Sequence, residues 1–180
     1  ETGIDDGQTY VEYSGPAVPT PLATRAEIND HLVDAVAAEG PVRGSRLLTA
    51  YVKASGGQKV GSQIAKDLNG AISAAVRQGR IVEDNPLSEA GIKPRTYRLH
   101  EQPAHRVRPL GPRNLEDVPP LEIAARLRAA QERLGRTASP TALYRIVLDD
   151  MGLKRLTPNV ESVLARALSL TDVAVEMHSE

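Results

Sequence analysis

Hydrophobic residues recur at helical spacing in three consecutive segments of the first half of the chain. The first segment opens with a capping-box pattern, because Glu27 follows Thr24 by three residues, and the Gly40-Pro41 pair ends it. The second and third segments end at glycines, which favour the backbone conformation that closes a helix. The three predicted helices cover about residues 24–39, 45–55 and 62–78.

Two short segments with strand character follow the third predicted helix. Ile81-Val82 precedes a polar loop, residues 85–94, which contains two prolines and a glycine, and the chain returns through residues 96–99. This pattern predicts a β-hairpin with a long loop. Residues 41–44 can form only a short extended link between the first two helices. The order of elements is typical of a winged helix-turn-helix, which we predict for residues 24–100.

Prolines mark the boundaries in the second half of the chain. Residues 101–113 are rich in Pro and Arg and predict an extended connector. Three helices follow, each preceded by a proline where a first helical turn tolerates it. Their apolar stripes are narrow, which predicts a small three-helix bundle over residues 114–170. The predicted fold class is therefore mainly α with a small β-hairpin: a winged helix-turn-helix followed by a three-helix bundle.

Both ends of the chain are predicted to lie outside these two domains. Residues 1–23 are acidic and rich in Gly and Pro, which predicts a flexible arm or linker. Residues 171–180 alternate weakly between apolar and polar positions, which predicts a strand or a frayed tail.

Composition excludes several classes of site in these 180 residues. The chain has no cysteine, which removes disulfides and thiolate metal sites and fits a reducing, cytoplasmic compartment. Its only aromatic residues are five tyrosines, too few for the stacked platforms of single-strand binders. No apolar run approaches the ~18 residues of a membrane-spanning helix, so we expect no membrane partner.

Sequence motifs for catalysis are also missing. The chain contains no Gly-Lys dipeptide, which a phosphate-binding P-loop requires, and no Asp-x-Lys or Glu-x-Lys, which a metal-dependent nuclease would use. Its four histidines lack metal-ligand spacing. We therefore expect a protein that is not an enzyme and that has no catalytic residue, no metal and no cofactor.

The net charge of −1 conceals a strong asymmetry along the sequence. Residues 1–42 carry a net charge of −7, residues 43–113 carry +8, and residues 114–180 carry −2. A basic segment between acidic flanks indicates a polyanionic partner. Because this segment covers most of the predicted winged helix and the connector after it, nucleic acid is the expected ligand.

The third predicted helix carries cations opposite its apolar stripe. Lys66 and Arg77 flank Gly70 and Ser73 on that side, so the helix could approach a duplex closely while its cations reach phosphates. The alternative is an ordinary solvated helix face. The candidate nucleic-acid-binding residues are Lys53, Lys59, Gln63, Lys66, Asn69, Ser73, Arg77, Arg80, Lys93, Arg95 and Arg98.

These candidates have different predicted roles. Gln63 and Asn69 carry amides, which can bond adenine edges, whereas Lys93 in the hairpin loop would contact phosphates or the minor groove. Arg95 and Arg98 would act with Lys93. Alternatively, these two arginines pair with acids across the hairpin, where exposed pairs contribute little stability.

Four local motifs of the chain resemble those of one known family. The motifs are Glu39-Gly40-Pro41-Val42 before Leu47, Val107-Arg108, the run from Arg113 to Pro120 before Glu122-Ile123, and the run from Gly152 to Thr157. On these motifs, the chain from Glu27 to about Leu170 resembles the uncharacterised winged-helix region at the C-terminal end of large bacterial superfamily 1 helicase–nuclease fusion proteins. The resemblance implies an accessory role, since ATP hydrolysis and DNA cleavage are assigned to other domains of such proteins.

We therefore predict a non-catalytic accessory module that binds nucleic acid, with duplex DNA as the expected partner and low sequence specificity. Helicase or nuclease domains of the same parent protein are further candidate partners. Two alternatives stay open. The chain could be a winged-helix module that docks onto proteins, or a stand-alone transcription regulator, which would need a dimer surface to match paired half-sites.

Overall fold

Two units make up the chain in a computed structural model that describes residues 9–176. The first unit is the continuous segment Val11–Ala104. The second unit begins at His105 and also includes Tyr10, so the first unit is inserted into the sequence of the second. The described chain is mainly helical and has one small antiparallel sheet.

The first unit contains three helices and three short strands. Thr24 caps the first helix as predicted, since its hydroxyl accepts from the Glu27 backbone N–H and the Glu27 carboxylate accepts from the Thr24 backbone. The third helix ends just before Gly79, whose φ of 70° suits a helix terminus. The elements are α1 (Arg25–Glu39), β1 (Val42–Arg43), α2 (Gly44–Ala54), α3 (Ser62–Arg77), β2 (Val82–Asp84) and β3 (Thr96–Arg98).

The sheet has the strand order β1-β3-β2, and both pairings are antiparallel. Strands β2 and β3 form the predicted hairpin. The link after α1, predicted only as extended chain, is strand β1, in which Val42 pairs with Tyr97. On the other side of β3, Glu83 pairs with the same Tyr97, whose side chain is fully buried. Strand β3 is therefore the central strand of the sheet, and its pairing with β1 holds the hairpin beside the start of α2.

The core of the first unit forms where the apolar sides of its helices meet. Leu32 of α1, Leu48 of α2 and Ile72 of α3 are buried in one cluster with Tyr51 and Tyr97. Helices α1 and α3 pack against each other, so the core fixes which side of α3 stays exposed. That side carries four of the candidate binding residues: Gln63, Lys66, Ser73 and Arg77.

The segment before α1 differs from the predicted flexible arm. Residues 11–20 lack helix and strand, but they pack on the first unit. Tyr13 is buried and its backbone N–H donates to Glu39 Oε2 at 2.9 Å, while the Tyr51 hydroxyl donates to the Val18 carbonyl at 2.6 Å. Burial raises the pKa of Tyr51 to about 12. Residues 1–8 of the predicted arm lie outside the described residues.

The second unit contains a 3-10 turn and three helices. Each helix begins at the proline that the sequence indicates, and Leu127, Val147 and Leu164 are buried between them. The predicted tail is wrong over residues 171–176, because no glycine or proline ends the last helix near Thr171. Residues 177–180 lie outside the described residues. The elements are the 3-10 turn (Leu115–Asp117), α4 (Pro120–Leu134), α5 (Pro140–Asp150) and α6 (Pro158–Glu176).

The predicted connector, residues 101–113, is not a separate extended segment. Its first four residues belong to the first unit, and the remainder packs into the second. Arg108 and Arg113 are each only 3% exposed, and both donate to the fully buried carboxylate of Glu122, with shortest N–O distances of 3.4 and 2.8 Å. The Tyr10 ring covers both guanidinium groups. Burial lowers the pKa of Arg108.

Candidate nucleic-acid interface

Helix α3 presents a polar side away from the core of the first unit. Leu68 and Ile72 are fully buried, whereas Gln63, Lys66 and Arg77 are exposed. Residues three, four and seven apart lie on one side of a helix, so Lys66, the half-buried Ser73 and Arg77 form a row along α3. The arrangement predicted from periodicity is therefore present in the structure.

The folded unit is much less basic than the segment 43–113. Residues 11–104 contain eleven basic and ten acidic residues, a net charge of +1, because the first unit includes the acids of α1 and Glu12 and lacks the three arginines that follow residue 104. Net charge alone therefore no longer indicates a polyanionic partner. What matters instead is which cations remain exposed and unpaired.

Four of the predicted cations make no ion pair within the described chain and are exposed to solvent. Lys66 and Arg77 project from α3, Lys59 lies in the turn that precedes this helix, and Lys93 lies in the β2–β3 loop. Exposed lysines and arginines without partners can reach phosphates without first breaking an internal contact. These four are the strongest of the sequence-based candidates.

Lys53 and Arg80 are occupied by acids of the same unit. Lys53 Nζ lies 2.7 Å from Glu12 Oε1, and Arg80 Nη1 lies 2.7 Å from Asp30 Oδ1. The hydrogen bond from Lys53 lowers the pKa of Glu12. Both cations are accessible, but each would have to leave a carboxylate to bind a phosphate.

Arg95 and Arg98 pair with acids across the hairpin, as the alternative reading of the sequence expected. Arg95 Nη1 lies 2.8 Å from Glu83 Oε1, and Arg98 Nε lies 2.8 Å from Asp84 Oδ2. The Tyr97 hydroxyl also donates to Glu83, at 2.9 Å, and burial raises the pKa of this hydroxyl. The two arginines therefore stabilise the hairpin and are not free to bind phosphates.

Backbone contacts fix the end of the hairpin loop against the start of α2. The Gly44 N–H donates to the Arg95 carbonyl at 2.8 Å, and the Ser45 N–H donates to the Lys93 carbonyl at 3.0 Å. These bonds satisfy two of the N–H groups that a helix leaves open at its first turn. A Cβ on Gly44 would lie 2.0 Å from the Ile92 carbonyl oxygen, so only glycine permits this approach. The backbone at Lys93 is thereby held in place.

The two amide candidates differ in availability. Gln63 is exposed, and its amide donates to Asp67 within α3 at 3.1 Å. Asn69 is half-buried, and its Oδ1 atom is inaccessible to solvent. An adenine edge requires both the oxygen and the nitrogen of an amide. Asn69 is therefore wrongly placed for that contact, while Gln63 is accessible.

Arg25 is a cation that the sequence analysis missed. It is exposed in the first turn of α1 and makes no ion pair within the described chain. Its guanidinium lies against α3 at Gly70, since a Cβ on that glycine would be 2.8 Å from Arg25 Nη1. The sequence did contain one indication: an arginine in the first turn of a helix is disfavoured by the helix dipole, which suggests a role other than helix stability. Its position beside α3 depends on packing and not on local sequence.

Comparisons with protein-family models, curated proteins and solved structures found no match. No described helix is long and apolar enough to cross a membrane. Over the same residues, no three His, Asp or Glu side chains are grouped so that they could hold a metal ion. The features that bear on function are therefore the exposed side chains of the first unit.

Proposed function

We propose that the first unit is a winged helix that binds duplex DNA, with α3 as the recognition helix and the β2–β3 loop as the wing. One observation carries the proposal: Lys59, Lys66, Arg77 and Lys93 are exposed, make no ion pair within the described chain, and lie on α3, on the turn before it and on the hairpin loop. Cations in these positions suit the phosphates on either side of an inserted helix.

Low sequence specificity belongs to the same proposal. Among the candidates on α3, Gln63 is the accessible amide and Ser73 is a short, half-buried hydroxyl. Few side chains could therefore form hydrogen bonds that distinguish one base from another. Affinity would come mainly from phosphates. The role is non-catalytic, and the resemblance to helicase–nuclease fusion proteins suggests an accessory part of a larger DNA-processing enzyme.

The proposal is tested by fluorescence anisotropy with a short labelled duplex across a salt series. We expect the logarithm of affinity to fall linearly with the logarithm of salt concentration, with a slope of about 0.9 per neutralised phosphate. Reversing Lys66 and Arg77 to Glu should abolish binding. Arg136→Glu is the matched control, since Arg136 is exposed in the second unit and makes no ion pair with any residue that the structure describes. Absent binding at low salt, or equal loss in the control, would contradict the proposal.

Protein docking is the second candidate function, and the pairing of charges favours it. Six of the eleven cations of the first unit are in ion pairs within that unit: Arg43, Arg46, Lys53, Arg80, Arg95 and Arg98. A surface selected for DNA would keep more of them free. The charge-reversed variant separates the two candidates, because a docking module would lose no more affinity for duplex on reversal of Lys66 and Arg77 than on reversal of the control Arg136.

A further inference from the structure

We propose that Arg25 binds a phosphate of the DNA and that Gly70 positions it. Because Gly70 has no side chain, it leaves a notch on the surface of α3, and the Arg25 guanidinium lies in this notch on the DNA-binding side of the helix. We call this pair of residues the phosphate clamp. This inference rests on the proposed function and adds to it a specific contact. It assigns a role to a cation from α1 and to a glycine that would otherwise only weaken α3.

The geometry of the notch is specific. A Cβ on Gly70 would lie 2.8 Å from Arg25 Nη1 and 3.5 Å from both Cζ and Nη2. All three atoms belong to the guanidinium group, so its planar end lies against the helix at this residue. Any larger residue at position 70 would displace the guanidinium, although the flexible arginine side chain could move away without disturbing the backbone.

The stability of the two helices does not account for a glycine at position 70 or an arginine at position 25. Glycine in a helix interior is less favourable than alanine, and Gly70 lies in the middle of α3. A cation in a first turn opposes the helix dipole, and Arg25 opens α1. Arg25 also makes no ion pair within the described chain that would compensate. Binding of an anion would account for both choices at once.

The notch lies in line with the other free cations of α3. Lys66 precedes Gly70 by four residues and Arg77 follows it by seven, and both spacings place side chains on the same side of a helix. Arg25 therefore fills the gap between them with a third positive charge. A guanidinium presents parallel N–H donors to two oxygens of one phosphate, which a lysine does not.

A double-mutant cycle on the full chain tests the clamp with the same labelled duplex. We expect Arg25→Ala to weaken binding about tenfold. The slope of log affinity against log salt concentration should also fall by the amount that corresponds to about one phosphate contact. Gly70→Ala should also weaken binding while raising the thermal unfolding midpoint, since alanine favours the helix. A purely structural role for Gly70 would not combine higher stability with lower affinity.

The double variant decides whether the two residues act together. If Gly70 acts through Arg25, adding Gly70→Ala to Arg25→Ala causes no further loss of affinity. Arg136→Ala is the matched control for loss of an exposed arginine. The clamp is wrong if Gly70→Ala binds as tightly as the native chain, or if the two losses simply add.

The outcomes also separate the clamp from the proposed function. If the native chain fails to bind duplex at low salt, the proposed function fails and the clamp with it. If the native chain binds with the expected salt dependence but Arg25→Ala does not weaken it, the clamp alone is wrong.

Discussion

Glu122 accepts hydrogen bonds from two buried guanidinium groups of the second unit. Arg113 donates through both terminal nitrogens, at 3.1 and 2.8 Å, and Arg108 donates at 3.4 Å. Arg113 also donates to the carbonyls of Pro109 and Leu110. One carboxylate therefore holds the start of α4 against the chain segment that precedes it, and its charge offsets one of the two buried positive charges.

Glu122→Gln should destabilise the second unit strongly. Removing one member of a buried ion cluster leaves uncompensated charge, which costs about 3–5 kcal/mol. Urea unfolding followed by circular dichroism would measure the loss. Glu132→Gln, at an exposed position of the same helix, should change the unfolding free energy by less than about 0.5 kcal/mol. Similar stabilities of the two variants would show that the cluster contributes little.

The sequence could not predict which cations are free. The approach of Lys53 to Glu12 joins residues 41 positions apart, and no local pattern encodes it. Arg108 and Arg113 look like connector residues because prolines surround them, yet their carboxylate lies beyond the connector, on α4. Pairing across the hairpin was foreseeable, since short antiparallel strands bring Arg95 and Glu83 together.

At the scale of elements, local signals predicted most of the fold. Capping residues and prolines lie at the observed starts of α1, α4, α5 and α6, because each supplies a backbone conformation or a hydrogen bond that the first turn needs. Strand β1 could not be predicted, because two residues are too few to show the alternation of apolar and polar positions that marks a strand. The packed segment 11–20 escaped because it has no regular structure of its own.

Gly44→Ala should disrupt the junction between α2 and the hairpin loop. The added Cβ would meet backbone atoms of Ile92, which cannot move aside as a side-chain end can, so we expect a loss of about 1–3 kcal/mol. Thermal unfolding would measure it, and hydrogen exchange of the Ser45 amide would report the opened contact. Gly70→Ala, also within a helix, is the control and should be stabilising. Unchanged exchange at Ser45 would contradict the expected displacement.

For the molecule as a whole, acidic residues limit the surface available to a polyanion. Glu12 lies in the packed segment before α1 and contacts Lys53 at 2.7 Å and Arg46 at 3.4 Å. The lowered pKa of Glu12 means that its carboxylate stabilises the fold above its ordinary titration range and loses that contribution as pH falls through the lowered value. At neutral pH it therefore neutralises Lys53.

Glu12→Gln should raise the affinity for duplex DNA severalfold. The substitution keeps the size of the side chain but removes the charge that holds Lys53, which adds one free cation to the proposed surface. Anisotropy at fixed salt would measure the gain. Because Tyr13 is buried, this substitution is a cleaner test of the acidic segment than deletion of residues 1–23. An affinity equal to that of the native chain would show that Lys53 does not contribute to binding.

Tyr10 belongs to the second unit, although the whole first unit separates it in sequence from the two arginines that its ring contacts. Its ring lies 4.8 and 4.4 Å from the guanidinium carbons of Arg108 and Arg113. This contact closes a loop of ~100 residues. During synthesis Val11–Ala104 emerges before either arginine exists, so the first unit can fold while Tyr10 still lacks its partners. The contact can therefore form only after the residues of the first unit have been synthesised, so it joins the two ends of a segment that is able to fold before they meet.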